Sequence, residues 1–158
     1  MTTKNDFDEQ DWARVVRAPF VAGLAITLAD PGGPIEAAKE TTATLKASTN
    51  PPSREQLLAD VALDLQALTQ QHQNPLKGFK VEAGAPPGDQ IVDELRSVQE
   101  LVAATADPDE AAAYGRWLLQ VAQSAADAAK EGGFMGFHAE RVSEREKDMI
   151  ERVRTAVT

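Results

Sequence analysis

Twelve consecutive residues, Ala18 to Ala29, pass without a charge in a chain otherwise dense in Asp, Glu, Lys and Arg. An element that is apolar all round must be enclosed by others, because a single wet face would leave Phe20, Leu24, Ile26 or Leu28 in water. As a helix the run is about 18 Å long at roughly 1.5 Å per residue, too short for a bilayer core, so the expectation is a central core helix. The rest of the chain then reads as its wrapping. A length of 158 residues suits a single domain, 1–158, with a core large enough to need no disulfide or structural metal. Aromatics are only 5% of the chain while alanine is plentiful, which favours close helix packing over a thick aromatic core.

Charge excludes several partners. The formal net charge is −9, all of it from residues 1–138, while the last twenty residues carry five charges of each sign. No stretch is basic enough to meet a phosphate backbone or an anionic membrane surface, so neither nucleic acid nor membrane is an expected partner. Cysteine is absent, which removes disulfides, thiolate nucleophiles and Cys-ligated zinc. The segment before the apolar run holds four acids and three bases and no small-x-small site follows it, unlike a signal peptide; the expectation is an untargeted, cytoplasmic protein.

Periodicity lays out six or seven helices. Residues 1–7 are polar and expected to fray. Trp12, Val15, Val16 and Phe20 share one helical face, with Asp8 or Asp11 as cap, and Pro19 predicts a kink or break near Ala18. Asp30-Pro31-Gly32-Gly33-Pro34 is a helix-to-helix corner, after which Ile35, Ala38, Thr42 and Leu45 predict the buried stripe of a short helix. Ser53-Arg54-Glu55-Gln56 has the spacing of a capping box ahead of Leu57, Leu58, Val61, Leu65 and Leu68. Residues 73–88 form the longest irregular stretch, with a short extended piece possible over 77–82. Ile91 to Val102 repeat helically. Asp107-Pro108-Asp109-Glu110 opens the next helix, whose stripe is Tyr114, Trp117, Leu118, Val121 and Ala125, and Gly132-Gly133 closes it. Ser143 to Glu146 is a second capping box, with Met149, Ile150, Val153 and Val157 facing inward. The fold class is therefore all-α, a compact irregular bundle around a short central apolar helix. Trp12 and Trp117 each begin an apolar stretch ending in a glycine pair, an echo that two unrelated helix pairs would also produce.

Catalytic constellations are missing. Glu-x-x-His does not occur, and neither His72 nor His138 has a second histidine at helical spacing, so no metal site is expected. His138-Ala139-Glu140 resembles half of a deaminase zinc motif that also requires cysteines. Glu36 and Glu40, one turn apart after Asp30, could hold a hard cation, but acids in a first turn more simply complement the helix dipole. The glycines before Pro34 lack the Gly-Lys-Ser/Thr of a phosphate loop, and no Gly-x-Ser-x-Gly is present. No catalytic residue and no cofactor is expected.

The most unusual connection is Glu131 to Val142, where Phe134, Met135 and Phe137, with His138, sit among glycines. Such a loop either folds back onto its own bundle or meets a partner. Together with Trp12-Ala13-Arg14-Val15-Val16-Arg17-Ala18-Pro19, the stretch Lys130-Glu131-Gly132-Gly133-Phe134-Met135-Gly136-Phe137 and the later Arg141-Val142-Ser143-Glu144 resemble a group of small bacterial all-helical proteins. That resemblance implies a soluble helical protein of bacterial type and carries no activity, ligand or functional residue. Two functions follow as expectations. The first is a noncatalytic protein acting through another protein or through itself as a homo-oligomer, with the Phe134 loop as contact. The second is a small-molecule binding protein or enzyme whose pocket between helices uses Trp12, Tyr114 and Trp117 and is made polar by Glu36 or Glu40.

Overall fold

A computed structural model describes residues 1–130 and 142–158. Among them the chain forms six α-helices: α1 (Glu9–Ala29), α2 (Pro34–Thr49), α3 (Gln56–Gln70), α4 (Pro87–Thr105), α5 (Pro108–Lys130) and α6 (Glu144–Val157). No strand occurs among the described residues, and the all-α bundle expected from the sequence is the fold observed. The Phe134 loop and the Gly132-Gly133 stop lie outside the described residues.

Every other helix packs on α1. Its start is set by Asp8, whose carboxylate accepts from the Asp11 amide at 2.8 Å. The helix then runs through Pro19, so of the kink or break expected near Ala18 the break does not occur. Proline supplies no amide to the carbonyl four residues back, which is that of Val15; the Tyr114 hydroxyl of α5 donates to that carbonyl at 2.7 Å instead. The uncharged run is enclosed at Phe20, Val21, Ala22, Ala25 and Ile26, half-buried at Leu24, and emerges at Leu28. By length and composition α1 could cross a membrane, but most of that apolar window is covered by the other helices.

α4, α5 and α6 follow their amphipathic patterns. Ile91, Leu95, Val98 and Val102 of α4, Tyr114, Trp117, Leu118, Val121 and Ala125 of α5, and Met149, Val153 and Val157 of α6 are all buried. Each fully buried Leu or Val contributes about 1.5–3 kcal/mol relative to exposure. α5 and α6 approach so closely that a Cβ on Gly115 would overlap the Val157 carbonyl, which explains a glycine in the middle of a helix. Ser143 caps α6, its hydroxyl accepting from the Glu146 amide at 3.2 Å, as the capping-box spacing predicts.

Four further expectations fail. Residues 1–7 do not fray: a single 3-10 turn, Lys4–Asp6, forms behind the capping residue Thr3, and Thr2 is only 3% exposed. The Thr2 amide donates to Glu110 Oε1 at 3.0 Å and its hydroxyl to Glu110 Oε2, so an acid near the start of α5 docks the amino-terminal residues. α3 starts at Gln56, leaving Ser53 outside it with a hydroxyl that finds no partner, and no capping box forms there. Residues 77–82 form no strand; the side-chain amide of Gln90 instead accepts from the Glu82 amide and donates to the Glu82 carbonyl.

The fourth failure is α2, which is turned inside out. Ile35, Ala38, Thr42 and Leu45, expected inside, are exposed, Ile35 by 70% and Leu45 by 36%. The inward face is Glu40, Thr44 and Ser48. Small polar side chains can face α1 and α5 because the helices come very close: a Cβ on Gly23 of α1 would collide with the Thr44 side chain. Polar partners complete the seam. The Thr27 hydroxyl donates to Glu40 Oε2, and the Trp117 indole donates to the Ala47 carbonyl at 2.9 Å, satisfying a group in the last turn of α2 that has no helical partner.

Candidate functional site

The first turns of α1, the last turns of α3 and the chain leaving α3 border a half-open pocket of about 360 Å³. Its shape depends on how α3 stops. His72 takes a left-handed conformation, φ 57°, its amide donating to the Thr69 carbonyl at 3.1 Å and that of Gln73 to Leu68 at 2.9 Å, the two bonds of a Schellman end. Asn74 Oδ1 then accepts from the Leu76 amide at 3.0 Å, and the chain folds back over α1. Glycine is required at Gly78, φ 94°, because the Arg17 guanidinium lies where its Cβ would be.

Trp12, Val16 and Leu68 give the cavity an apolar lining, and Asp64, Arg17 and Lys77 give it charge. The Trp12 indole is fixed by donation to Asp64 Oδ2 at 2.8 Å and by the Phe7 ring, 5.6 Å away between centroids. Arg17 Nη1 donates to the Lys77 carbonyl at 2.9 Å, while its buried Nε has no hydrogen-bond partner and no carboxylate pairs with it among the described residues.

The five residues expected to share a pocket do not converge. Trp12 lines the cavity described above. Tyr114 and Trp117 are fully buried in the core, packed edge to face with ring centroids 6.3 Å apart. Burial pushes the Tyr114 hydroxyl well above the usual tyrosine range, which keeps it a donor to Val15. Glu40 is bonded to Thr27, fifteen residues beyond Trp12 on α1 and hence about 22 Å along the helix, and Glu36 is exposed. Phe134, Met135, Phe137 and His138 lie outside the described residues. Spacing and motifs alone do not single out Asp64, Arg17 or the 73–77 chain as site residues. The usable signal was Arg17, a charge beside the apolar run, together with the Asn74-Pro75 and Lys77-Gly78 turn pairs.

At the far end of α1 a second group of acids gathers. Burial raises the Glu40 carboxyl above the usual glutamate range against the bond from Thr27, and Glu36 and Asp30 raise it further. Burial likewise raises Glu146 of α6, with Glu40 and Asp30 adding to the shift, and Glu146 Oε2 is buried without a partner. Among the described residues no group of three or more His, Asp or Glu is placed to hold a metal ion. The chain matches no protein-family model, no curated protein and no solved structure.

Proposed function

We propose that this is a noncatalytic protein that acts by self-association, with the outer face of α2 as the contact between two copies. The observation that carries the reading is the exposed stripe Ile35, Ala38, Thr42 and Leu45, whose outward position costs hydrophobic free energy in a lone chain. The stripe is symmetric about position 40. Turned end over end it reads large, small, small, large again, so a two-fold axis through α2 sets Ile35 against Leu45 of the second copy and Ala38 against its Thr42. The small residues at the centre let the helices come close. An antiparallel pair brings Glu36 within reach of Lys46 across the axis, whereas a parallel pair would set Lys46 against itself.

Sedimentation equilibrium of the wild type and of the Ile35→Glu/Leu45→Glu variant tests this. The expected result is a dimer for the wild type and a monomer of unchanged helical circular dichroism for the variant. A wild type that stays monomeric, or a variant that stays dimeric, removes the reading.

A further inference from the structure

We propose that Glu40 of α2 and Glu146 of α6 form an acid-held latch at the last turns of α1: neutral, they let α2 close on the bundle, and ionised, they release its amino-terminal half. This goes beyond the dimer reading, since both carboxyls are buried and neither belongs to the outer stripe of α2.

Glu40 is 2% exposed and Glu146 7%. Carboxylates at that depth ordinarily meet a cation or several N–H donors. Among the described residues neither forms an ion pair with Lys or Arg. Glu40 has the bond from the Thr27 hydroxyl, Glu146 Oε1 accepts from the Ser143 hydroxyl at 3.3 Å, and Glu146 Oε2 is buried without a partner. A hydroxyl accepts as well as donates, so both contacts survive protonation of the acid. The orphan oxygen of Glu146 also costs less on a neutral group than on a charged one.

The charges that act on the two groups are negative: Asp30, the cap of α1, on both, Glu36 in the first turn of α2 on Glu40, and Glu40 on Glu146. The other helices packed on α2 and α6 bring no buried cation among the described residues. α3 and α4 bury only apolar side chains, and Glu110, the one charge buried on α5, is bonded to Thr2. Charge on the pair is therefore opposed twice, by desolvation and by like neighbours. A carboxyl raised in this way stabilises the closed state below the ordinary glutamate value of 4.5 and ceases to do so as pH rises through its folded pKa. The latch is closed in acid and loosens toward neutral. α2 is the part that yields, because it brings no large apolar side chain to the core, whereas α6 is held by Met149, Val153 and Val157.

Amide hydrogen exchange read by mass spectrometry at about pH 4.5 and about pH 7.5, corrected for the intrinsic rates, tests the latch. The wild type is expected to lose protection at least about tenfold over the amino-terminal half of α2 at the higher pH, with α4 unchanged. Glu40→Gln/Glu146→Gln, neutral at both pH values, is expected to keep the same protection in α2 at both. Side-chain carboxyl carbon resonances of the wild type, followed by NMR and assigned with the single Gln variants, are expected to show these two glutamates titrating above 4.5. That titration covers the case in which the double variant does not fold. An equal loss of α2 protection in the folded double variant, a loss shared by α4, unchanged protection in the wild type, or two carboxyls that titrate at or below 4.5 overturns the proposal.

Discussion

α2 and α5 share the most extensive interhelical contact of the bundle and fill it in opposite ways. α5 sends Tyr114, Trp117, Leu118 and Val121 inward, a face any reading of apolar periodicity finds. α2 sends Glu40, Thr44 and Ser48 inward and leaves Ile35 and Leu45 in water. The difference shows that the partner, as well as the helix itself, decides which face is buried. α5 brings large side chains that need volume. α2 meets a glycine in α1 and an indole N–H in α5, and a close, hydrogen-bonding neighbour selects small polar groups over leucine and isoleucine.

The widest gap between the two helices should appear on truncation. Trp117→Ala removes the largest fully buried side chain and the donor to Ala47 together, and is expected to cost about 3–5 kcal/mol in urea unfolding, while Ser48→Ala, whose hydroxyl has no partner, is expected to cost nothing or to stabilise slightly. Equal losses at the two positions would break the contrast.

A smaller effect sharpens the polar role inside α5. Tyr114→Phe leaves the Val15 carbonyl dry and unpaired, at an expected cost of about 1–3 kcal/mol. Pro19→Ala returns an amide to that carbonyl, so the double variant should recover most of the loss. Additive losses in the double-mutant cycle would show that the phenol does not stand in for the missing amide.

The smallest effect belongs to α2 and depends on pH. The folded-state pKa of Glu40 lies above its ordinary 4.5, so the stabilisation it gives is complete below that value and is lost as pH rises through the folded pKa. Glu40→Gln is neutral at every pH. Its stability relative to the wild type should therefore grow between about pH 4 and pH 7, as followed by thermal unfolding. A difference that does not change with pH would mean that the carboxyl titrates normally.

The sequence was most legible where side chains are large. The start of α5, the cap of α6 and the inward faces of α4, α5 and α6 follow from spacing and end chemistry, because bulky apolar residues have one place to go. α2 defeats its own spacing for the same reason: Ile35 and Leu45 are the only large apolar residues on it, and on this helix size does not set direction. The signals that would have corrected it were Gly23, a gap in the apolar run wide enough for Thr44, and Trp117, whose indole needs an acceptor. The cavity was half visible. Trp12 stood out as an aromatic, but Asp64 and Arg17 read as ordinary surface charges until α3 and the chain after His72 brought them to it.

A proline inside α1 has a mechanical consequence for the bundle. The phenol from α5 reaches the one oxygen that Pro19 leaves exposed, and no neighbouring position along α1 offers another. Sliding α5 by a single residue would strand both groups, so this pair acts as a locating pin that fixes how far the two longest helices slide past each other, a precision that greasy packing between smooth alanine-rich surfaces would not supply.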